Sequence, residues 1–191
     1  MKKAFLLLAC LVLQACALPR ALPPATDLKA ADGEVIVVGK VELVPPLDPR
    51  FEQKSHWNAI GEKRYLKHVL VATAGEYRPV ETARLDASEF QSAIEARPGV
   101  PFMVRAPRRR TFLNGAVLHL DLVAQERLWF PGGYYFDVPK DAAAVYIGTL
   151  RYHRNDFNRI TRVEVLDQRE DIAPLLKAGT TVRPALLQSV R

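Results

Sequence analysis

The sequence predicts a mainly β protein: a single antiparallel β-sandwich, or barrel, carrying two short helices. Three observations predict it. Short runs rich in valine, isoleucine and aromatic residues recur along the chain, clusters of Pro, Gly, Asn and Asp separate them, and only two stretches show helical spacing. The 191 residues are enough for one domain with a sizeable core.

Each element has its own warrant. Glu34 to Val44 is the first strand: valine and isoleucine fill its first half, and Val41 and Leu43 alternate with Lys40 and Glu42 in its second. Gly39 in its middle marks a bulge or a close backbone approach, and Pro45-Pro46 ends it. Asp48 to Arg64 is polar and irregular. Tyr65 to Ala74 is a second strand, Gly75 a turn, and Tyr77 to Val80 a returning arm. Asp86-Ala87-Ser88-Glu89 has capping-box spacing, and Phe90, Ala93 and Ile94 fall at i, i+3, i+4, which predicts a helix over about 87–96. From residue 101 the pattern is strand and turn. Pro101 to Ala106, Ala116 to Ala124, Arg127 to Phe130, Gly133 to Val138, Ala143 to His153 and Arg159 to Leu166 are successive strands. Leu118, Leu120 and Leu122 share one parity and read as core, opposite Val117, His119, Asp121 and Val123. Pro131-Gly132-Gly133 and Asn155-Asp156 are turn chemistry. In the aromatic cluster around Pro-Gly-Gly, alternate rings go to opposite faces. Asp167 to Glu170 again has capping-box spacing, opening a second helix that carries Ile172, Leu175 and Leu176.

The first residues carry an address. Lys2 and Lys3 precede an uncharged, mostly apolar run from Ala4 to Leu13, too short to span a bilayer as a helix. It closes on Leu13-Gln14-Ala15-Cys16, which resembles the lipobox of bacterial lipoproteins. The resemblance implies a signal peptide over 1–15, acylation of Cys16, and anchoring by more than one acyl chain, which a stable attachment needs. Ala17 stands where an aspartate would favour the inner membrane, so the pattern implies a periplasm-facing protein of the outer membrane, if the organism is Gram-negative. Residues 16–33, rich in Pro and Ala, then read as a tether, and 34–191 as the β-rich globular domain. The two cysteines both lie within the first sixteen residues, so the body holds no disulfide.

Two phrases, Val38-Gly39-Lys40-Val41-Glu42-Leu43 and the run from Phe130 to Leu150, resemble the strand grammar of prealbumin-like or carboxypeptidase-regulatory-like sandwiches. The resemblance implies an immunoglobulin-like sandwich and no chemistry of its own.

The formal net charge of +6 ordinarily raises nucleic acid as a partner. Export argues against it and leaves lipid phosphates, anionic envelope polymers or an acidic protein. Arg105, Arg108, Arg109 and Arg110 fall within six residues between strands and form the candidate surface for an anionic partner, because a planar guanidinium matches phosphate and carboxylate. The run from Arg151 to Arg162, with Tyr152 and Phe157 interleaved, is a second basic stretch flanking a hairpin turn. The four histidines lack short metal-ligand spacing, and no G-x-S-x-G elbow or phosphate loop occurs, so no cofactor is expected. The expectation is a non-enzymatic, lipid-anchored envelope protein of binding or structural type. The alternative is a periplasmic hydrolase or metal-dependent enzyme using His119 with Asp121, or His56 with nearby acids.

Overall fold

A computed structural model describes residues 30–48, 68–78, 93–121 and 126–190. The leader, Cys16, most of the tether, His56 and the segment 79–92 lie outside the described residues. The described chain is mainly β and forms two sheets, not a closed barrel. Its strands are β1 (Glu34–Val44), β2 (Val69–Ala74), β3 (Ala93–Ala96), β4 (Phe102–Pro107), β5 (Thr111–Asp121), β6 (Glu126–Phe136), β7 (Ala144–Arg154), β8 (Ile160–Leu166), β9 (Arg183–Pro184) and β10 (Gln188–Ser189). The first sheet runs β4-β1-β7-β8, with β9 against β7; the second runs β10-β6-β5-β2-β3. One face of each sheet contributes to a shared core, where Val37, Ile147 and Tyr152 join Val71, Leu118 and Phe130. Phe130 and Tyr152 meet edge-on across it, with ring centroids 4.8 Å apart.

The sequence predicts antiparallel pairing, but the first sheet is mixed. β1 runs parallel to β7, and so does β9. β1 is a central strand, antiparallel to β4 on one side and parallel to β7 on the other. Val35, Ile36, Val37 and Val38 are all fully buried, because the main core covers one face and a smaller core covers the other. A strand buried on both faces reads as a continuous apolar run, the mark of a central parallel strand. The smaller core forms where Ile36, Val38, Met103 and Tyr146 meet Ile172 and its neighbours from the C-terminal segment.

Gly39 serves both purposes its position suggested. The β1–β7 register shifts beside it, and a Cβ there would stand 2.8 Å from Ile147 and 2.9 Å from Phe102. Leu118 and Leu120 are in the core, but Val117 on the opposite parity is buried too.

Three local expectations are corrected. Pro131-Gly132-Gly133 is not a hairpin turn; it lies inside the continuous strand β6. The ladder there passes from Gly115↔Pro131 to Leu113↔Tyr134, so β6 carries one extra residue, Gly132 and Gly133 together facing Asn114. A Cβ on Gly132 would fall 2.1 Å from the Asn114 carbonyl carbon, and Gly133 has φ +88°, so the glycines permit a bulge, not a turn. The alternation of the rings survives: Phe130 and Phe136 are core, while Tyr135 lies on the other face against Phe112, 5.6 Å away. The helix expected over 87–96 gives way, in its described part, to strand β3, which pairs with β2. Ile94 and Ala96 enter the core on a two-residue period, and sheet pairing overrides the helical spacing. The second helix is a 3-10 helix over Arg169–Leu175, containing Pro174. Its N-cap is Gln168, with no side-chain cap, because the Asp167 carboxylate binds Arg169 instead, at 2.8 and 2.6 Å. Ile172 does bury, as its spacing suggested.

Candidate interaction surfaces

The described chain enters the first sheet at the start of β1, and the arginine turn sits beside that entry. Glu34 pairs with Pro107, and the Arg108 amide donates to the Gly33 carbonyl at 2.7 Å. The four arginines do not act alike. Arg108 donates from its guanidinium to the carbonyls of Lys140 (2.9 Å), Pro139 (3.4 Å) and Glu34 (3.1 Å). It is a bracket that ties the β4–β5 turn to β1 and to the turn before β7. Arg110 grips Asp137 with two parallel hydrogen bonds, 2.7 and 2.9 Å, and lies over the Tyr135 ring, 4.8 Å from its centroid. The Asp137 carboxylate raises the Arg110 pKa and neutralises its charge locally. Arg105 and Arg109 are exposed, with the Arg109 guanidinium lying over Gly75. Of the four arginines, the candidate cationic surface therefore reduces to Arg105 and Arg109.

The face of the first sheet away from the main core carries a chain of alternating charges. Lys40, only 9% exposed, pairs with Asp171 of the 3-10 helix and with Glu42 at 2.5 Å. Glu42 in turn accepts from Arg151 on β7 at 2.8 Å. Burial works against the Lys40 charge, yet hydrogen bonds to Asp171 and Glu42 outweigh it and raise the Lys40 pKa. Burial likewise opposes the Glu42 charge, and bonds from Lys40 and Arg151 overcome it and lower the Glu42 pKa. On β8, Glu164 pairs with His153 at 2.6 Å and with Arg162. The bond to His153 is the largest cause of a lowered Glu164 pKa. The Lys40–Asp171 pair pins the C-terminal segment over the sheet, at the rim of the smaller core.

The second basic run is at the opposite end. β1 finishes at Val44, which aligns with His153, and the β7–β8 turn follows immediately. Arg154 brackets this end as Arg108 brackets the other, donating to the carbonyls of Pro45 (2.9 Å) and Pro46 (2.7 Å) and to Asn158 Oδ1 (2.6 Å). The Asn155 side chain accepts from the amides of Phe157 (3.1 Å) and Arg159 (3.0 Å), and Asn158 takes a left-handed φ of 57°. The turn is thus held from within and from β1. The two basic runs lie at opposite ends of β1, so they cannot form one surface.

His119 lies half-buried on β5, opposite Arg127 of β6. Burial first, and then the Arg127 charge, lowers its pKa, so the imidazole is neutral at pH 7 with a cation as neighbour. The Asp121 side chain is outside the described residues. Among the described residues no three His, Cys, Asp or Glu side chains come together to hold a metal ion. Asn114 was missed from the sequence: buried opposite the β6 bulge, it donates to the Glu76 carbonyl at 3.1 Å and accepts from the Arg78 amide at 3.2 Å. Only its place beside Gly115 hinted at such a role. Among the described residues no helix is long and apolar enough to cross a membrane. No protein family, curated protein or solved structure matches the chain.

Proposed function

We propose that the chain is a lipid-anchored envelope protein of non-enzymatic binding or structural type, held to the outer membrane through Cys16 and facing the periplasm. The observation that carries the reading is Leu13-Gln14-Ala15-Cys16 at the close of a short apolar run. In this reading the two sheets are the layers of one β-sandwich, and residues 17–29 are the tether that delivers it. Labelling with an alkyne palmitate analogue tests the anchor. The full chain should carry the label and a Cys16→Ser variant should lose it; an unlabelled full chain would overturn the reading.

Junction and arginine turn share one end, so the tether presents Arg105 and Arg109 toward the leaflet. Their ligand is an anionic envelope group of the phosphate class. Replacing both with serine leaves the Arg108 and Arg110 brackets intact. It should weaken adsorption of the protein to phosphatidylglycerol vesicles severalfold without changing the melting temperature. Unchanged adsorption would remove that surface from the account.

A further inference from the structure

The large apolar side chains exposed among the described residues are Val44, Tyr77, Val100 and Phe157. Three of these four gather at the end remote from the tether. Val44 closes β1, Phe157 tips the β7–β8 turn that follows its partner strand, and Val100 lies in the turn whose Gly99 amide donates to the Val41 carbonyl at 2.8 Å. Phe157 is 84% exposed, yet it stands on a turn fixed by the Asn155 side chain and by the Arg154 bracket to Pro45 and Pro46. A rigid backbone presenting a bare aromatic ring loses little entropy on binding, the arrangement expected of an interface anchor. Arg97 shares the turn of Val100, whose amide donates to its carbonyl, and Arg154 and Arg159 flank Phe157 in the β7–β8 turn, with Asp156 between them.

We propose that this end docks a partner protein through Phe157, and that the partner offers an apolar pocket rimmed by acidic groups. The orientation rests on the lipid-anchor reading above. The apolar residues ask for a pocket, and the arginines ask for carboxylates around it. A second copy of this chain would bring the same arginines against each other. The anchoring leaflet is disfavoured by reach. β1 separates the two ends by about 33 Å, about three quarters of the roughly 45 Å that residues 17–29 span when fully extended, so turning Phe157 onto the leaflet would hold the tether stretched.

In-cell photocrosslinking of the full, lipidated chain tests this, with benzoylphenylalanine in place of Phe157, Val100 or, at the tether end, Tyr77. Positions 157 and 100 should give the same protein adduct, and position 77 should not. Once identified by mass spectrometry and purified, that protein should bind the full-length chain in detergent at least tenfold more weakly after Phe157→Ala or Arg159→Glu. Arg159→Lys should restore most of the affinity, and the melting temperature should not move. Adducts with lipid alone, an adduct of twice the chain mass, or affinity indifferent to Phe157→Ala would each overturn the proposal. Palmitate labelling of the same cultures reads the anchor separately. A distal adduct without label overturns the anchor and keeps the docking surface; label without a distal adduct overturns the docking surface alone.

Discussion

The two ends of β1 carry basic runs of similar density in sequence and put them to different use. At the end where β1 begins, Arg108 and Arg110 are consumed by carbonyls and by Asp137, and Arg105 and Arg109 remain as exposed charge. At the far end, Arg151 and Arg162 are paired with Glu42 and Glu164, Arg154 is bound to carbonyls, and what stands clear is Phe157. In each place an arginine works as a bracket, because several fixed donors can satisfy carbonyl groups left over at turns. The difference is in what each bracket supports. Charge density along a sequence is therefore a poor guide to charge on a surface: where turns leave carbonyls unpaired, arginine is drawn into the structure.

The largest expected effect lies between the ends. Lys40→Ala removes the cation shared by Glu42 and Asp171 and leaves two partly buried carboxylates together. It should cost about 2–3 kcal/mol in urea unfolding, below the range for a fully buried pair because Asp171 is partly solvated. If the loss is that large while both ends keep their hydrogen-exchange protection, the seam is a separate unit and the comparison of the ends stands. Arg108→Ala and Arg154→Ala should each cost about 0.5–1.5 kcal/mol, since the carbonyls they release are exposed or part-buried and water replaces much of the lost donor. The local readout should differ. Arg108→Ala should speed amide exchange around residues 34 and 140, and Arg154→Ala around residues 155–159. Exchange spreading equally to both ends in either variant would break the distinction.

Acid should act through the seam more than through the ends. The folded pKa of Glu42 lies below its ordinary value of 4.5, so its contribution is complete above that value. It is lost as pH falls below 4.5 through the folded value, because the unfolded chain then binds the proton more readily. Glu42→Gln should flatten this part of the stability profile, measured by urea unfolding between pH 6 and pH 3. The smallest effect is expected from Arg110→Ala. Its pair with Asp137 is half-exposed on both sides, and the melting temperature should not move measurably.

How much of this was legible in the sequence follows from how far each cause lies along the chain. β1 could be read to its last residue, because its valines and Pro45-Pro46 state the strand and its end locally. The bulge at Gly39 and the core parity of Leu118 and Leu120 were also local. Pro131-Gly132-Gly133 was misread because a turn and a bulge use the same residues, and only Asn114 on the neighbouring strand decides between them. The helix expected near 87–96 failed for the same reason, its backbone partners being supplied by β2. In the candidate surfaces, the identity of Arg108 and Arg110 was plain and their use was not. Their acceptors at residues 34, 137, 139 and 140 are remote in sequence, as Asp171 is from Lys40.

The central claim is that a lipid at Cys16 holds the arginine end toward the membrane and the Phe157 end away from it. The body has no cysteine of its own, since both natural cysteines precede residue 17, so a single thiol can be placed at either end and labelled. Arg109→Cys and Phe157→Cys variants, lipidated and reconstituted in liposomes, would each carry one fluorophore against a headgroup-linked quencher. The account predicts much stronger quenching at position 109 than at position 157. Equal quenching, or stronger quenching at 157, would contradict it.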